Sequence, residues 1–136
     1  MFDFSSFLSN KAFITEDHHV YTYADLLGLS ERFSEYLVPR SLIFIGCENS
    51  LESIVAYVSC LRSGVVPLLL SRDVPDETLY HLEAIYHPRY CWFPSRRDLL
   101  VKGKEKYSLG GYSLIQYEGD SLVLPEGLAL LLTTSG

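Results

Sequence analysis

Thr133, Thr134, Ser135 and Gly136 are the residues of this sequence whose types and spacing best suit a chemical role. They follow an apolar run, Leu128-Ala129-Leu130-Leu131-Leu132. A strand that runs into a small, hydroxyl-rich, Gly-containing loop presents backbone N–H groups and hydroxyls to phosphate oxygens. Taken alone, the same residues also describe a strand followed by an ordinary turn, because Thr and Ser beside Gly are common turn chemistry. A phosphate loop normally continues with more Gly and hydroxyl residues and a Lys. The sequence stops at Gly136, so the expectation is a chain that carries the first half of such a loop.

The other reactive side chains read as structural. His18 and His19 are adjacent, which suits a turn; His81 and His87 are six apart and miss the i, i+4 spacing of a helical metal pair. Cys47, Cys60 and Cys91 form an odd set with no CxxC, and two of them sit in apolar runs. They read as reduced thiols of a cytoplasmic protein, and no metal site is expected. Ser53, Ser59 and Ser63 lie on a helical stretch without the strand-to-helix elbow that a nucleophilic serine needs. Tyr80, Tyr86 and Tyr90 read as half-buried packing rather than a ligand cage.

Composition narrows the partners. A net charge of −6 and a pI near 5.1 argue against nucleic acid. The one basic stretch, Arg96, Arg97, Lys102, Lys104 and Lys106, is diluted by Asp98 and Glu105 and has no interleaved aromatic platform, so it reads as a solvated loop. No apolar run approaches the roughly 20 residues that span a bilayer. Met1-Phe2-Asp3-Phe4 lacks the basic region of a signal peptide. An apolar fraction of 48% is enough for a packed core, and 136 residues suit one α/β unit spanning 1–136.

The elements that would position the loop are legible from periodicity. Residues 12–15 and 20–23 suit two short strands around a turn. Thr22 with Asp25 makes an N-cap, and Leu26, Leu29, Phe33 and Leu37 keep helical spacing up to Pro39. Ser41 to Gly46 is apolar on both faces, as a central parallel strand is. Asn49 is the expected cap of the next helix, whose face is Leu51, Ile54, Val55, Val58 and Leu61, with Gly64 as its stop. Val65 to Leu70 is a strand in which Pro67 marks a bulge or the start of pairing. A helix from about Pro75 to Tyr86 should bury Leu79, Leu82, Ile85 and Tyr86, and Tyr90 to Phe93 is a further strand. Two consecutive βαβ units follow, and the right-handed crossover rule makes their strands parallel. Residues 94–111 are weakly patterned, and Glu118-Gly119-Asp120 predicts a hairpin between 112–117 and 121–124.

Three segments in order resemble the N-terminal part of the adenylate-forming (AMP-binding) superfamily: acyl- and aryl-CoA synthetases, nonribosomal peptide synthetase adenylation domains and luciferases. Tyr21-Thr22-Tyr23-Ala24-Asp25-Leu26 is similar to that family's T-Y-x-E-L helix start. Leu61 to Leu68, preceded by Glu48-Asn49-Ser50-Leu51-Glu52, is similar to its helix-to-strand turn and the x-N-S-x-E that opens the same helix. Leu131 to Gly136 is similar to the opening of its phosphate loop. The resemblance covers about residues 12–136. The connection Val38-Pro39-Arg40 is shorter than the family's usual Gly- and Asp-containing linker.

The resemblance implies an α/β fold: a mainly parallel sheet with helices on its faces, an antiparallel element near the C-terminus, and a partial domain of a larger enzyme. It implies a parent ligase that activates a carboxylic acid with ATP and magnesium, forming an acyl-adenylate, with coenzyme A or a carrier protein as acceptor. Only Thr133, Thr134, Ser135 and Gly136 match the family's binding residues, as the first half of the loop that holds the β- and γ-phosphates. No catalytic residue is matched, so the 136-residue chain is expected to be inactive alone and to bind no nucleotide tightly. It is expected to associate with the rest of its parent, or with itself through exposed apolar surface. The other reading is a stand-alone, non-catalytic interaction or regulatory module.

Overall fold

The computed structural model describes residues 11–14, 20–48, 50–96, 99, 101–119 and 131–132. In chain order the elements are β1 (Lys11–Ile14), β2 (Val20–Thr22), α1 (Tyr23–Ser34), β3 (Leu42–Cys47), α2 (Leu51–Ser63), β4 (Val66–Ser71), α3 (Asp76–Tyr86), β5 (Tyr90–Pro94), β6 (Gly103–Leu109), β7 (Tyr112–Tyr117) and β8 (Leu131–Leu132). β1 and β2 form an antiparallel pair of their own. The main sheet has the order β6-β7-β5-β3-β4-β8. β5, β3, β4 and β8 are mutually parallel, whereas β7 runs antiparallel to β5 and β6 antiparallel to β7. This is the expected α/β sheet, mainly parallel with an antiparallel element late in the chain.

Strand alternation sorts the core into two layers. Ile43, Ile45, Tyr90, Trp92, Tyr112 and Leu114 face Leu26 and Phe33 of α1 and Leu51, Val55 and Ala56 of α2. On the opposite face Leu42, Phe44, Leu68, Leu70, Cys91, Phe93 and Ile115 meet Leu79 of α3. The chain reaches β4 through α2 on one face, then crosses back over β3 through α3 on the other. Two helix-bearing faces result because β5 lies on the far side of β3 from β4. Pro67 is accommodated in this ladder. Val66 N–H donates to Ser41 O at 2.9 Å, so alternation turns Pro67 toward the β8 side, where pairing begins only at Leu68.

Local signals account for the helix ends. Thr22 and Asp25 form a reciprocal capping box, with bonds of 2.9 and 3.1 Å. α1 stops at Ser34, short of Pro39, and Leu37 is buried from the turn that follows. The cap of α2 is Ser50, whose Oγ accepts from Ser53 N–H; Asn49 lies outside the described residues. Gly64 ends α2 in the left-handed region at φ 69°, where a glycine has no Cβ penalty.

Besides the cap of α2, which is Ser50 where Asn49 is expected, three expectations are corrected. Leu61 and Ile85 are 43% and 55% exposed, because they lie at the margins of the buried stripes, which α2 builds from Leu51, Val55, Ala56 and Cys60 and α3 from Leu79. Residues 103–109 are strand β6, joined to β7 by Gly110-Gly111 at positive φ of 55° and 85°, a primed two-residue turn. The antiparallel partner of 112–117 is therefore the segment before it; residues 121–124 lie outside the described residues. Finally, the basic stretch is not one loop. Arg96 pairs with Asp76 and Lys102 with Glu83, and Lys104 and Lys106 project from an edge strand, where charge discourages edge-to-edge pairing.

Candidate functional site

The carboxyl ends of the parallel strands form one rim. β3 ends at Cys47, β4 at Ser71, β5 at Pro94 and β8 at Leu132. Antiparallel β7 starts on the same rim, since Tyr112 is in register with Pro94. The chain leaves β3 toward β4 but leaves β5 toward the β6–β7 hairpin on the other side. That divergence between adjacent strands is where α/β sheets place ligands.

A polar constellation occupies the rim beyond β3 and β4. Arg72 directly follows β4, and its N–H donates to Cys47 O at 3.1 Å, which carries the β3–β4 ladder one residue past the strands. Its Nη1 donates to Glu48 Oε1 at 2.9 Å and also to Oε2. The two side chains are 41% and 28% exposed. Glu48 is held in turn by α2, since its N–H donates to Ser53 Oγ at 3.0 Å. The buried Tyr112 hydroxyl donates to Gly46 O at 2.7 Å and lies 3.3 Å from Glu48 Oε2. Burial pushes the Tyr112 phenol up to about 12; a bond with Ser53 opposes this and the Glu48 carboxylate adds to it. The phenol is thus a donor across the ordinary pH range.

The rest of the rim is closed by hydroxyls. Ser113 Oγ donates to Glu105 Oε1 at 2.6 Å and lies 2.5 Å from Ser95 Oγ, while Ser95 N–H donates to Gly111 O at 2.8 Å. These contacts bind the β6–β7 turn to the end of β5.

Thr133, Thr134, Ser135 and Gly136 lie outside the described residues. The strand that leads to them, β8, is described: Leu131 and Leu132 pair in parallel with Leu68 and Leu69. β8 therefore delivers the chain to the rim on which Arg72 stands. Sequence reasoning missed Arg72 and Tyr112. The available signal was position, because each is the first long polar side chain at a strand end on the rim formed by the carboxyl ends of the parallel strands. Among the described residues no group of three or more His, Cys, Asp and Glu side chains could hold a metal ion, and no helix is long and apolar enough to cross a membrane.

Neither a protein-family model nor a curated protein matches the sequence. Solved structures do. A benzoate CoA ligase from Burkholderia xenovorans LB400 aligns with a TM-score of 0.59 and 20% identity over 67% of this chain and 21% of its own. An artificially fused adenylation–PCP di-domain from Klebsiella oxytoca aligns with a TM-score of 0.57 and 18% identity over 63% and 17%. CmiS6 aligns over 88% of this chain and 32% of its own, with a TM-score of 0.67 and 14% identity. The chain thus spans about a sixth to a third of the length of these structures and shares its fold with that part of each.

Proposed function

We propose that this chain is the N-terminal segment of an ATP-dependent, carboxylate-activating ligase of the acyl-CoA-synthetase kind. Thr133, Thr134, Ser135 and Gly136 open the loop that holds the β- and γ-phosphates. The observation that carries this reading is β8. It is a parallel strand beside β4, it ends on the ligand-bearing rim, and it leads straight into those hydroxyls in a sheet of this fold. Backbone N–H groups and hydroxyls at the end of such a strand suit phosphate oxygens. The Arg72 fork on the same rim adds a donor set of matching charge. ATP with magnesium would supply the activating chemistry. A carboxylic acid is the substrate, and coenzyme A or a carrier protein is the acceptor. The solved relatives point to that pair of acceptors: one is a CoA ligase and another carries a PCP.

No catalytic residue of such a ligase is matched in the sequence, so the 136 residues alone are expected to form no acyl-adenylate. ATP–pyrophosphate exchange tests this. The 136-residue protein is expected to give none above a buffer blank, and the polypeptide extended along the reading frame past Gly136 is expected to give exchange that depends on a carboxylic acid. A stop codon directly after Gly136 would overturn the assignment in favour of a stand-alone, non-catalytic module. Exposed Leu61, Ile85 and Val101 would favour self-association of the isolated chain, and light scattering showing only monomer at high concentration would refute that.

A further inference from the structure

We infer that Tyr112, Trp92, Tyr107 and Tyr36 form a relay for one-electron oxidation, which carries an oxidising equivalent from the buried centre of the sheet to the surface at Tyr36. The inference is independent of the reading of 133–136, and it gives the aromatic column between α1 and the sheet a role beyond packing.

The rings form a continuous series. Tyr112 stands at the rim, with its ring centroid 5.4 Å from that of Trp92. Trp92 is stacked on Tyr107 at 6.2 Å with 16° between the planes, and Tyr107 is stacked on Tyr36 at 5.5 Å with 27°. Exposure is graded along the series: Trp92 is fully buried, Tyr112 is 3% exposed, and Tyr36 is 39% exposed. Packing accounts for each contact, since aromatic pairs favour offset-stacked and edge-on geometries. Packing does not ask that every ring of the series be an indole or a phenol, the two side-chain rings that lose an electron readily. The phenyl ring of Phe33, which resists oxidation, stands edge-on beside the series, 4.7 Å from Trp92 and 5.7 Å from Tyr107.

Electrons exchange rapidly between rings this close, so the vacancy settles where its proton can leave. Trp92 Nε1–H donates to Glu52 O at 3.0 Å, and a main-chain carbonyl does not take that proton away. The Tyr112 hydroxyl donates to Gly46 O at 2.7 Å, again a carbonyl; the Glu48 carboxylate is further off at 3.3 Å and already engaged by Arg72. Tyr36 is the most exposed of the four rings, and water there accepts the phenolic proton. A one-electron oxidant of the carbonate-radical class accepts an electron from Trp92 and leaves as its anion. Tyr36 returns an electron to the indole through Tyr107 and releases its proton to water. The product is an intact Trp92 and a neutral phenoxyl radical at Tyr36. A thiol or ascorbate in solution restores the phenol by donating a hydrogen atom. Oxidation is thereby discharged at the surface and not in the core.

Trp92 is the sole tryptophan of the sequence, so the vacancy can be started at a known ring. The test is flash photoionisation of the indole in the 136-residue protein, at a wavelength where phenols do not absorb, with a cobalt(III) ammine complex as electron scavenger. Transient absorption is expected to show the indolyl radical decaying as a phenoxyl radical rises, at a rate independent of protein concentration. A nitroso spin trap followed by peptide mass spectrometry should place the adduct on Tyr36. Tyr107→Phe keeps the stacked ring and removes the oxidisable phenol, so it should prolong the indolyl radical and abolish the Tyr36 adduct. Tyr80→Phe, at a similarly exposed tyrosine on the α3 side of the sheet, should change neither readout. Circular dichroism checks that each variant is folded, and the original sequence decides by itself where one is not. Indolyl decay without a phenoxyl rise, a Tyr36 adduct undiminished in Tyr107→Phe, or an adduct gathered on another tyrosine in place of Tyr36 overturns the relay.

Discussion

The indole Nε1–H of Trp92 donates to the main-chain carbonyl of Glu52 at 3.0 Å, so the central aromatic of β5 is tied to the first turn of α2. Trp92 is fully buried, with Phe33 edge-on at 4.7 Å and Tyr107 stacked at 6.2 Å. The first turn of α2 also carries Ser53, which holds the backbone of Glu48. One side chain thus couples the middle of the sheet to the start of the helix behind the rim.

Trp92→Phe should therefore destabilise the protein by about 2–4 kcal/mol, the sum of a lost hydrogen bond and a partly collapsed cavity. The helix keeps the Glu52 carbonyl partnered, so no buried acceptor is orphaned and the loss should not exceed that range. Urea unfolding measures it. A shift of the midpoint worth less than about 0.5 kcal/mol would mean that Phe33 and Tyr107 repack to fill the space.

Gly46 is the rim residue of β3 that has no room for a side chain. A Cβ there would press into the Phe93 ring from the neighbouring strand, and the Gly46 carbonyl is the acceptor for Tyr112. Gly46→Ala should cost about 1–3 kcal/mol through overpacking. Phe93→Leu in the same chain should recover part of that loss, because the two sites share one volume. A double-mutant cycle gives the coupling, and additivity of the two changes would rule out the steric account.

How far the sequence disclosed this architecture depends on the period of each element. β3, β4 and β5 were legible because buried parallel strands are apolar on both faces, and α1 because Thr22 and Asp25 form a complete capping box. β6 was not legible. Its pairing with β7 shifts register between Glu105 and Tyr107, which leaves Lys106 as an extra residue. The bulge places Tyr107 opposite Leu114, on the α1 side, although alternation would put it on the face of Glu105. A period-2 search across residues 103–109 therefore finds no pattern. Ile85 and Leu61 keep helical spacing but lie at the margin of their stripes, so periodicity alone assigned them to the core. At the site, β8 was visible as an apolar run. Arg72 and Glu48 were not paired in the sequence, because only the β3–β4 register brings residues 24 apart into contact.

Alkaline pH should unfold the protein earlier than its exposed groups alone would. Burial pushes the Cys91 thiol up to about 12 from an ordinary 9.0 and the Tyr112 phenol up to about 12 from 10.0. Burial also raises Cys60 and Tyr117. Each group keeps its proton in the folded state after the unfolded chain has lost it. The stability they contribute is therefore complete below the unfolded values and drains away as pH rises from about 9 through about 12. The slope is about 1.4 kcal/mol per pH unit for each group inside its window. Cys91→Ala should flatten the curve from about pH 9 upward, and Tyr112→Phe only from about pH 10, so the two variants separate the contributions. Urea midpoints at pH 8, 9.5 and 11 provide the measurement. A midpoint constant to pH 11 would show that the thiol and phenol reach water in the folded protein, and the packing described around β5 and the rim would then be wrong.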